Sequence, residues 1–316
     1  MTRFLWASLF AVIILAPLLF ARSAPLEPSM PEIRQHLNLF GYALVDCDWD
    51  DPLDAEHKTN YVDEVVGFTN VAQLCVRNPS DALETRVKRM NAAGIRAVID
   101  LTRVFYRADG VVGNAPNGTN LDLYTDYEAR WNTFKSVNAG LFTAARVAAF
   151  YLVDEPTWNG VSFAELSLQA KLVKTSFPSV ATLLIEAYKA IPALQVPTTV
   201  DWLGFDRYGV MPNVNVAYQA DLAALKAKRS SATQKIVLVM EGQWLTVYSK
   251  AGYQPSFMRE IADGYALVAN ADPDIIGIIC YLWPNGLDEP TQRGVRALPP
   301  EVIAEHRRIG RAITKR

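Results

Sequence analysis

The stretch from Val147 to Pro156 reads "VAAFYLVDEP" and sets an unbroken apolar run directly against two carboxylates. Apolar runs without alternation are typical of parallel strands that are covered on both faces. Ionised carboxylates are costly to bury unless they are paired or hydrogen-bonded, so Asp154 and Glu155 are expected where the strand ends. The stretch therefore predicts a buried strand that carries two acids to the edge of a parallel sheet.

Seven further apolar runs have the same character and alternate with stretches of helical period. The eight predicted strands are Phe40 to Val45, Gly67 to Leu74, Arg96 to Leu101, Val147 to Val153, Ala181 to Glu186, Asp201 to Phe205, Lys235 to Met240 and Ile275 to Tyr281. An open doubly wound sheet would favour a glycine-rich turn after the first strand, where the acidic "VDCDWDDPLD" stands instead. We therefore predict the α/β class and a single (β/α)8 TIM barrel.

Helical period, caps and terminating glycines or prolines place helices between these strands. The predicted helices are Lys58 to Val66, Ser80 to Ala93, Tyr124 to Ala139, Ser162 to Ser176, Tyr188 to Leu194, Ala217 to Arg229, Pro255 to Asn270 and Pro300 to Ile313. The segment from Arg107 to Asn120 has neither apolar period nor alternation, and it is predicted to be a loop after the third strand.

The chain starts with "MTRFLWASLFAVIILAPLLFARSA", which has the layout of a secretory signal. A basic start at Arg3 precedes an apolar core and a small-x-small cleavage site that ends at Ser23. We expect residues 1–23 to be a signal peptide and residues 24–316 to form the barrel. The alternative is an uncleaved membrane anchor. The protein is accordingly expected to be secreted or periplasmic, or else anchored to a membrane and facing outside the cytoplasm.

Composition argues against several classes of function. With 31 basic and 33 acidic residues the formal net charge is −2. This composition lacks the excess of positive charge with which proteins bind nucleic acid. The three histidines, His36, His57 and His306, lack metal-ligand spacing, so a zinc site is not expected. The hydrolysis favoured below requires neither a metal nor an organic cofactor. The three cysteines are too few for a disulfide framework. A bridge between Cys47 and Cys75 and three separate thiols, including Cys280, both remain open.

Polar and aromatic residues collect at or directly after the ends of the predicted strands, and within the second strand, where barrels of this kind build their active sites at the carboxyl ends. They are Asp46, Asp48, Trp49, Asn70, Gln73, Asp100, Arg103, Asp154, Glu155, Trp158, Glu186, Tyr188, Asp206, Arg207, Tyr208, Glu241, Gln243, Trp244, Tyr281, Trp283 and Asn285. Aromatic faces stack on sugar rings, and carboxylates bond hydroxyls and exchange protons. The pattern predicts a carbohydrate site.

Within this set we interpret Asp46, Asn70, Glu186 and Trp244 as candidates for substrate binding. The alternative for a single acid after a strand is a helix cap or a loop ion pair, and for a single tryptophan it is a packing role. For Glu186 a third catalytic carboxylate and a structural ion pair also remain open.

Two glutamates follow strongly apolar strands on opposite sides of the predicted barrel, Glu155 in "LVDEP" and Glu241 in "LVMEG". Glycoside hydrolysis uses two carboxyl groups that flank the scissile bond, one protonated and one ionised. Burial and a like charge nearby would keep one of the two protonated near neutral pH.

This arrangement resembles clan A of the glycoside hydrolases, which are (β/α)8-barrel retaining enzymes. The resemblance implies that Glu155 is the acid/base and Glu241 the nucleophile. It also implies that Tyr208 orients the nucleophile and that Trp283 forms the floor of a sugar subsite. The clan commonly has asparagine before the acid/base, whereas this chain has Asp154, which is expected to contact substrate without the amide donor.

The expected function is thus hydrolysis of a polysaccharide or oligosaccharide with retention of anomeric configuration through a glycosyl-enzyme intermediate. A catalytically silent barrel that binds cell-surface or exported glycan is the alternative. A lyase or isomerase that uses the same carboxylates is less favoured, because no metal-binding or phosphate-binding motif accompanies them.

Overall fold

The structure is a computed structural model that describes residues 32–108 and 120–316. One compact unit extends from Ile33 to Arg316. The predicted signal peptide or anchor lies outside the described residues, and so does most of the predicted loop from Arg107 to Asn120.

Eight parallel strands close into a barrel in the order β1, β2, β3, β6, β7, β8, β9, β10. Their bounds are β1 Leu39–Asp46, β2 Val71–Cys75, β3 Arg96–Asp100, β6 Val147–Asp154, β7 Ala181–Ala187, β8 Trp202–Asp206, β9 Lys235–Glu241 and β10 Ile275–Tyr281. A short antiparallel pair, β4 (Tyr106–Ala108) and β5 (Leu121–Leu123), follows β3. The predicted (β/α)8 barrel is confirmed.

Helices connect the strands on the outside of the barrel. Their bounds are α1 Val62–Val65, α2 Glu84–Ala92, α3 Thr102–Phe105, α4 Tyr127–Val137, α5 Phe163–Ser176, α6 Val216–Ala227, α7 Thr246–Lys250, α8 Met258–Ala271 and α9 Pro300–Thr314. The helix predicted from Tyr188 is only a 3-10 turn, Tyr188–Ala190. Ser80 does not cap α2, because that helix begins four residues later.

The start of β2 was predicted wrongly at Gly67. Gly67 has φ +87°, a left-handed conformation that glycine adopts readily, and it lies just after α1. Thr69 donates its hydroxyl back to the carbonyl of Val65 at 2.8 Å, so this segment belongs to the end of α1. The strand therefore starts at Val71, and Asn70 lies before its amino end.

Small and branched apolar side chains fill the barrel interior. They include Leu39, Val71, Val98, Ala149, Leu183 and Val237, which belong to one buried cluster. Because side chains alternate along a strand, residues two or four positions further on face the same side. This alternation directs Asp100 of β3 and Glu241 of β9 toward the carboxyl end of the barrel interior.

Candidate active site

A cavity of about 920 Å³ opens at the carboxyl ends of the barrel strands. Its lining is rich in acids and aromatic residues. The acids are Asp48, Asp100, Asp154, Glu155, Asp206 and Asp288, and the aromatic residues are Tyr42, Trp49, Tyr151, Tyr208 and Tyr281. The volume lies at the upper end of the range for small-molecule sites in proteins.

Glu155 lies at the cavity wall, one residue beyond the end of β6. Its φ of +39° is left-handed, which is uncommon for a residue with a side chain. The Glu155 N–H donates to the carbonyl of Ile185 at 3.1 Å and so holds this turn against β7. Its carboxyl group shares a hydrogen bond with the carboxyl group of Asp206.

Burial raises the pKa of Glu155 well above its ordinary value, and the Asp206 carboxyl beside it adds to the shift. The pKa of Asp206 is also raised by burial, against the lowering effect of hydrogen bonds from Glu155 and Tyr208. Two adjacent carboxyl groups cannot both ionise without a large cost, so the pair holds one proton between them. The cavity wall thus carries a protonated carboxyl group near neutral pH.

Asp154 precedes Glu155 and opens into the same cavity. The hydroxyl of Tyr151 donates to its Oδ1 at 2.6 Å. Loss of hydration within the cavity raises the pKa of Asp154 to about 6; the Tyr151 hydrogen bond lowers it, and the charges of Asp100 and Asp206 raise it further. Asp154 therefore changes charge in the neutral range while it faces the space that a ligand would occupy.

Glu241 is the last residue of β9 and has a different environment. Val237 and Val239 face the barrel interior, so Glu241 faces the same side, and it pairs in register with Tyr281 of β10. Its exposed fraction is only 1 %. Two donors cover its oxygens, because the Gly209 N–H donates to Oε2 at 2.7 Å and the Tyr248 hydroxyl donates to Oε1.

Burial raises the pKa of Glu241 to about 7, although both hydrogen bonds lower it. The predicted nucleophile is thus directed toward the cavity side of the barrel but is covered by the segment after β9.

Tyr248 of α7, rather than Tyr208, forms the tyrosine contact with Glu241. Tyr208 instead hydrogen-bonds Asp206 and stacks on Tyr281, with ring centroids 5.5 Å apart and planes within 19°. Sequence reasoning missed Tyr248 because it lies seven residues beyond β9, and no periodicity in the sequence reveals that this segment folds back over Glu241. The only sign of this contact in the sequence is the presence of a tyrosine in the segment "WLTVYSK" after β9.

Trp244, a predicted substrate contact, lies behind Tyr248 instead. It is 5 % exposed and packs edge to face on the Tyr248 ring at 5.4 Å. Its backbone forms a bridge with Arg293 through hydrogen bonds of 2.7 and 3.0 Å. Trp244 thus supports the residue that covers Glu241.

Glu186 is fully buried on the outer side of β7, since its neighbour Ile185 lines the cavity. Its carboxylate accepts hydrogen bonds from the backbone N–H groups of Thr157 at 2.8 Å and of Trp158 and Ala187 at 3.1 Å. Burial raises its pKa to about 7, and these hydrogen bonds lower it. Glu186 therefore holds the turn that contains Glu155, and the strand directs it away from the cavity in which its contact with substrate was predicted.

Asp46 and Asn70, for which substrate contacts were predicted, also lie outside the lining of the cavity. Asp46 ends β1 facing outward and accepts from the guanidinium of Arg86 on α2 at 3.0 Å. Asn70 precedes β2, where its amide accepts from the Phe40 N–H at 3.0 Å and donates to the Asn38 carbonyl at 2.7 Å. Asn70 thus joins the amino ends of two strands, opposite to the cavity.

Trp283, predicted as the floor of a sugar subsite, is 2 % exposed and packs beneath the cavity region on Tyr42, with ring centroids 4.8 Å apart. Its indole N–H donates to Glu64 at 2.6 Å. These contacts bury the indole, so the structure does not present it as the floor of the cavity. The cavity-lining aromatic residue of this strand end is Tyr281.

Cys47 and Cys75 form a disulfide beside the cavity, which resolves the pairing that the sequence left open. Cys280 is a free, buried thiol. Over residues 32–108 and 120–316, no group of three or more histidines, cysteines or acids could hold a metal ion. Within the same residues, no helix has the length and apolar character required to cross a membrane.

No protein-family model and no curated protein matches the chain. Solved structures with a similar fold include native xylanase 10B from Thermotoga maritima, with a TM-score of 0.57 and 13 % identity over 89 % of this chain and 98 % of that one. Endo-glycoceramidase II from Rhodococcus sp. has a TM-score of 0.53 and 12 % identity, over 85 % of this chain and 78 % of that one.

The GH113 β-mannanase AaManA from Alicyclobacillus acidocaldarius, solved in complex with ManMIm, has a TM-score of 0.53 and 10 % identity, over 88 % of this chain and 98 % of that one. At these identities the likeness establishes the (β/α)8 barrel.

Proposed function

We propose that this chain is a glycoside hydrolase that cleaves a polysaccharide or oligosaccharide with retention, with Glu155 as acid/base and Glu241 as nucleophile. The observation that carries the proposal is the position of Glu155 at the cavity wall beside the Asp206 carboxyl group, where burial and this neighbour raise the pKa of Glu155. A departing sugar oxygen needs a positioned proton donor, and a carboxyl group kept protonated near neutral pH supplies one. Xylanases and mannanases among the similar folds support the same class of reaction.

Glu241 is suited to attack an anomeric carbon only in its ionised form. The Gly209 N–H and the Tyr248 hydroxyl both donate to it, and donors at a carboxylate favour the charged state. Because Glu241 is 1 % exposed, the proposal requires α7 to move when substrate binds, so that Tyr248 uncovers Oε1. Tyr248 then releases or shares its hydrogen bond as the glycosyl-enzyme bond forms.

We expect the stacked rings of Tyr208 and Tyr281, rather than Trp283, to contact the sugar. Both rings line the cavity, and their faces offer the apolar surface on which a sugar ring packs. Asp154 lies on the same wall and is placed to accept a hydrogen bond from a sugar hydroxyl.

A panel of soluble polysaccharides that includes xylan and β-mannan should first identify a glycan that the enzyme cleaves. A 2-deoxy-2-fluoro glycoside of the same sugar with an activated leaving group should then trap the covalent intermediate. Peptide mass spectrometry is expected to find the label on Glu241, and NMR of early products to show retained configuration. A label on Asp206 would reassign the nucleophile, and an inverted product would exclude retention.

A silent glycan-binding barrel is the second candidate, and the 1 % exposure of Glu241 is the observation that favours it. It predicts saturable glycan binding without turnover, with an affinity that Glu241→Gln leaves unchanged. Turnover that depends on Glu155 would exclude this candidate.

We also propose that the barrel acts outside the cytoplasm, either secreted or periplasmic, or held at a membrane by its amino-terminal apolar segment. The disulfide between Cys47 and Cys75 supports this location, since such bonds persist in oxidising compartments. Amino-terminal sequencing of the exported protein should find cleavage after Ser23 or Ala24. An intact amino terminus in a membrane fraction would support the anchor instead.

A further inference from the structure

Three acids of the cavity are held by neutral hydrogen-bond donors. Gln73 donates its amide to Asp100 at 3.1 Å, and the hydroxyl of Tyr151 donates to Asp154 at 2.6 Å. The hydroxyl of Tyr281 lies 2.9 Å from both oxygens of Asp288. A neutral donor orients a carboxylate but leaves its charge in place.

Carboxylates outside the cavity show the contrasting arrangement. Several of them form an ion pair with a basic side chain. Asp46 pairs with Arg86 at 3.0 Å. Three further pairs each have a distance of 2.7 Å: Asp51 with Arg296, Asp201 with Lys174, and Asp272 with Lys226. The fold therefore places cations beside these acids outside the cavity, whereas Asp100, Asp154 and Asp288 have no ion-pair partner among the described residues.

The two arginines that line the cavity do not remove this charge. Arg77 uses its guanidinium on Asp48, with its Nη2 2.8 Å from Oδ1. Burial raises the pKa of Asp100, and the positive charge of Arg103 opposes this only in part. No ion pair joins these two described residues. The cavity thus has an excess of acids over bases, and the field of neighbouring carboxylates contributes to the raised pKa of Asp154.

We propose that the substrate of this site is a glycan whose hexosamine units carry free amino groups. This inference rests on the proposed function and names its substrate class. An ammonium group has three N–H donors and a positive charge, and it would bond Asp100, Asp154 or Asp288 where a neutral sugar offers only hydroxyls. The stacked rings of Tyr208 and Tyr281 would pack on the sugar ring that carries it.

Two features distinguish this ligand from others that attract carboxylates. No three of the described acids are grouped as a metal site, so separated charges along a chain fit better than a single divalent ion. An anionic glycan such as a polyuronate would meet like charge on most of the cavity wall, which disfavours it.

The test compares oligosaccharides that differ only in the substituent at C2. Pentamers of glucosamine, N-acetylglucosamine and glucose, each in the β-1,4 and the β-1,6 linkage, are titrated by calorimetry into the folded Glu155→Gln protein. In one of the linkages the glucosamine pentamer should bind at least about tenfold more tightly than both neutral partners, because its charged hydrogen bonds are stronger. That preference should shrink at high salt.

Asp288→Asn should reduce the affinity for the glucosamine pentamer by about tenfold and leave the glucose pentamer within about twofold. Glu84→Gln, which changes an exposed acid on α2, is the matched control and should change neither. Failure of the glucosamine pentamer to exceed its neutral partners in both linkages overturns the inference. If wild-type protein then cleaves a neutral glycan in a Glu155-dependent way, the proposed function stands and only the substrate class fails.

Discussion

The carboxyl ends of β6 and β9 each carry a glutamate after an apolar run, yet the two side chains have opposite environments. Glu155 lines the cavity beside the Asp206 carboxyl group, which helps to raise its pKa, whereas Glu241 is 1 % exposed beneath Tyr248. The strands are equivalent, so the segments that follow them make the difference. The turn after β6 is held outward by Glu186, and the segment after β9 returns over its own strand. The position at the end of a strand places an acid at the carboxyl end of the barrel, and the segment that follows the strand determines whether its side chain is exposed.

The largest effect is expected from Glu241→Gln. Loss of a nucleophile should lower kcat/KM by at least about a thousandfold on every substrate, including glycosides with activated leaving groups. The fold should also lose about 1–3 kcal/mol, because a Gln amide turned toward the Gly209 N–H places two donors together. Kinetics and thermal unfolding of the same preparation measure both. An activated glycoside that is still cleaved at the wild-type rate would remove Glu241 from the mechanism.

Glu155→Gln should lower kcat/KM by about 10²- to 10⁴-fold on natural glycans, because it removes the proton donor. Glycosides whose leaving group needs no protonation should be affected much less in the glycosylation step. Burial already disfavours the charged form of Glu155, so the neutral amide should leave the melting temperature unchanged or higher. Equal loss on both kinds of glycoside, or a marked fall in melting temperature, would contradict the role of proton donor.

Much of the barrel could be predicted from sequence because each parallel strand is covered on both faces and reads as a continuous apolar run. The exception was β2, where Phe68 and Thr69 look like strand residues but lie in the turn that follows α1. Strand ends also identified Glu155 and Asp154 correctly as cavity residues. Alternation along a strand, applied strictly, would have removed Glu186 from the candidates, since it follows the inward-facing Ile185.

Other parts of the site depend on contacts that no local pattern encodes. Tyr248 and Asp288 lie in segments beyond β9 and β10, and their positions depend on how those segments fold back. Trp283 looked like a sugar-binding residue by type, but its indole packs on Tyr42 and bonds Glu64. Residue type at a strand end thus predicts the chemistry of a site better than it predicts which ring faces the ligand.

Tyr248→Phe should have an intermediate effect and bring the environment of Glu241 closer to that of Glu155. The Tyr248 hydroxyl lowers the pKa of Glu241 toward about 7, so its removal should raise that pKa further. Because the nucleophile acts as the anion, the acidic limb of the kcat/KM profile should move to higher pH. We expect about a tenfold loss of kcat/KM at pH 6 and a smaller loss at pH 8.

The matched control for this variant is Tyr253→Phe. Tyr253 lies in the same segment, is 48 % exposed and stacks on Phe257, so its hydroxyl should not affect the profile. An acidic limb that stays in place or moves to lower pH in Tyr248→Phe would show that the Tyr248 hydrogen bond does not set the charge of Glu241.

Glu186→Gln should have the smallest effect on rate and tests how the turn after β6 is held. The charge of Glu186 contributes to the raised pKa of Glu155, so the neutral variant should move the alkaline limb of the kcat/KM profile to lower pH, with a loss of a few fold near neutrality. A change in packing alone would lower stability without moving this limb.

The same variant should alter the pH dependence of stability. Folding raises the pKa of Glu186 from its ordinary value near 4.5 to about 7, so the folded state binds more protons than the unfolded state between these values. The free energy of unfolding of the wild type should therefore fall as pH rises through this window. In Glu186→Gln that fall should be shallower, as denaturant unfolding at pH 4.5 and pH 7.5 will measure. An equally steep fall would mean that other buried acids, such as Glu241, dominate the slope and that the turn at Glu155 does not depend on this charge.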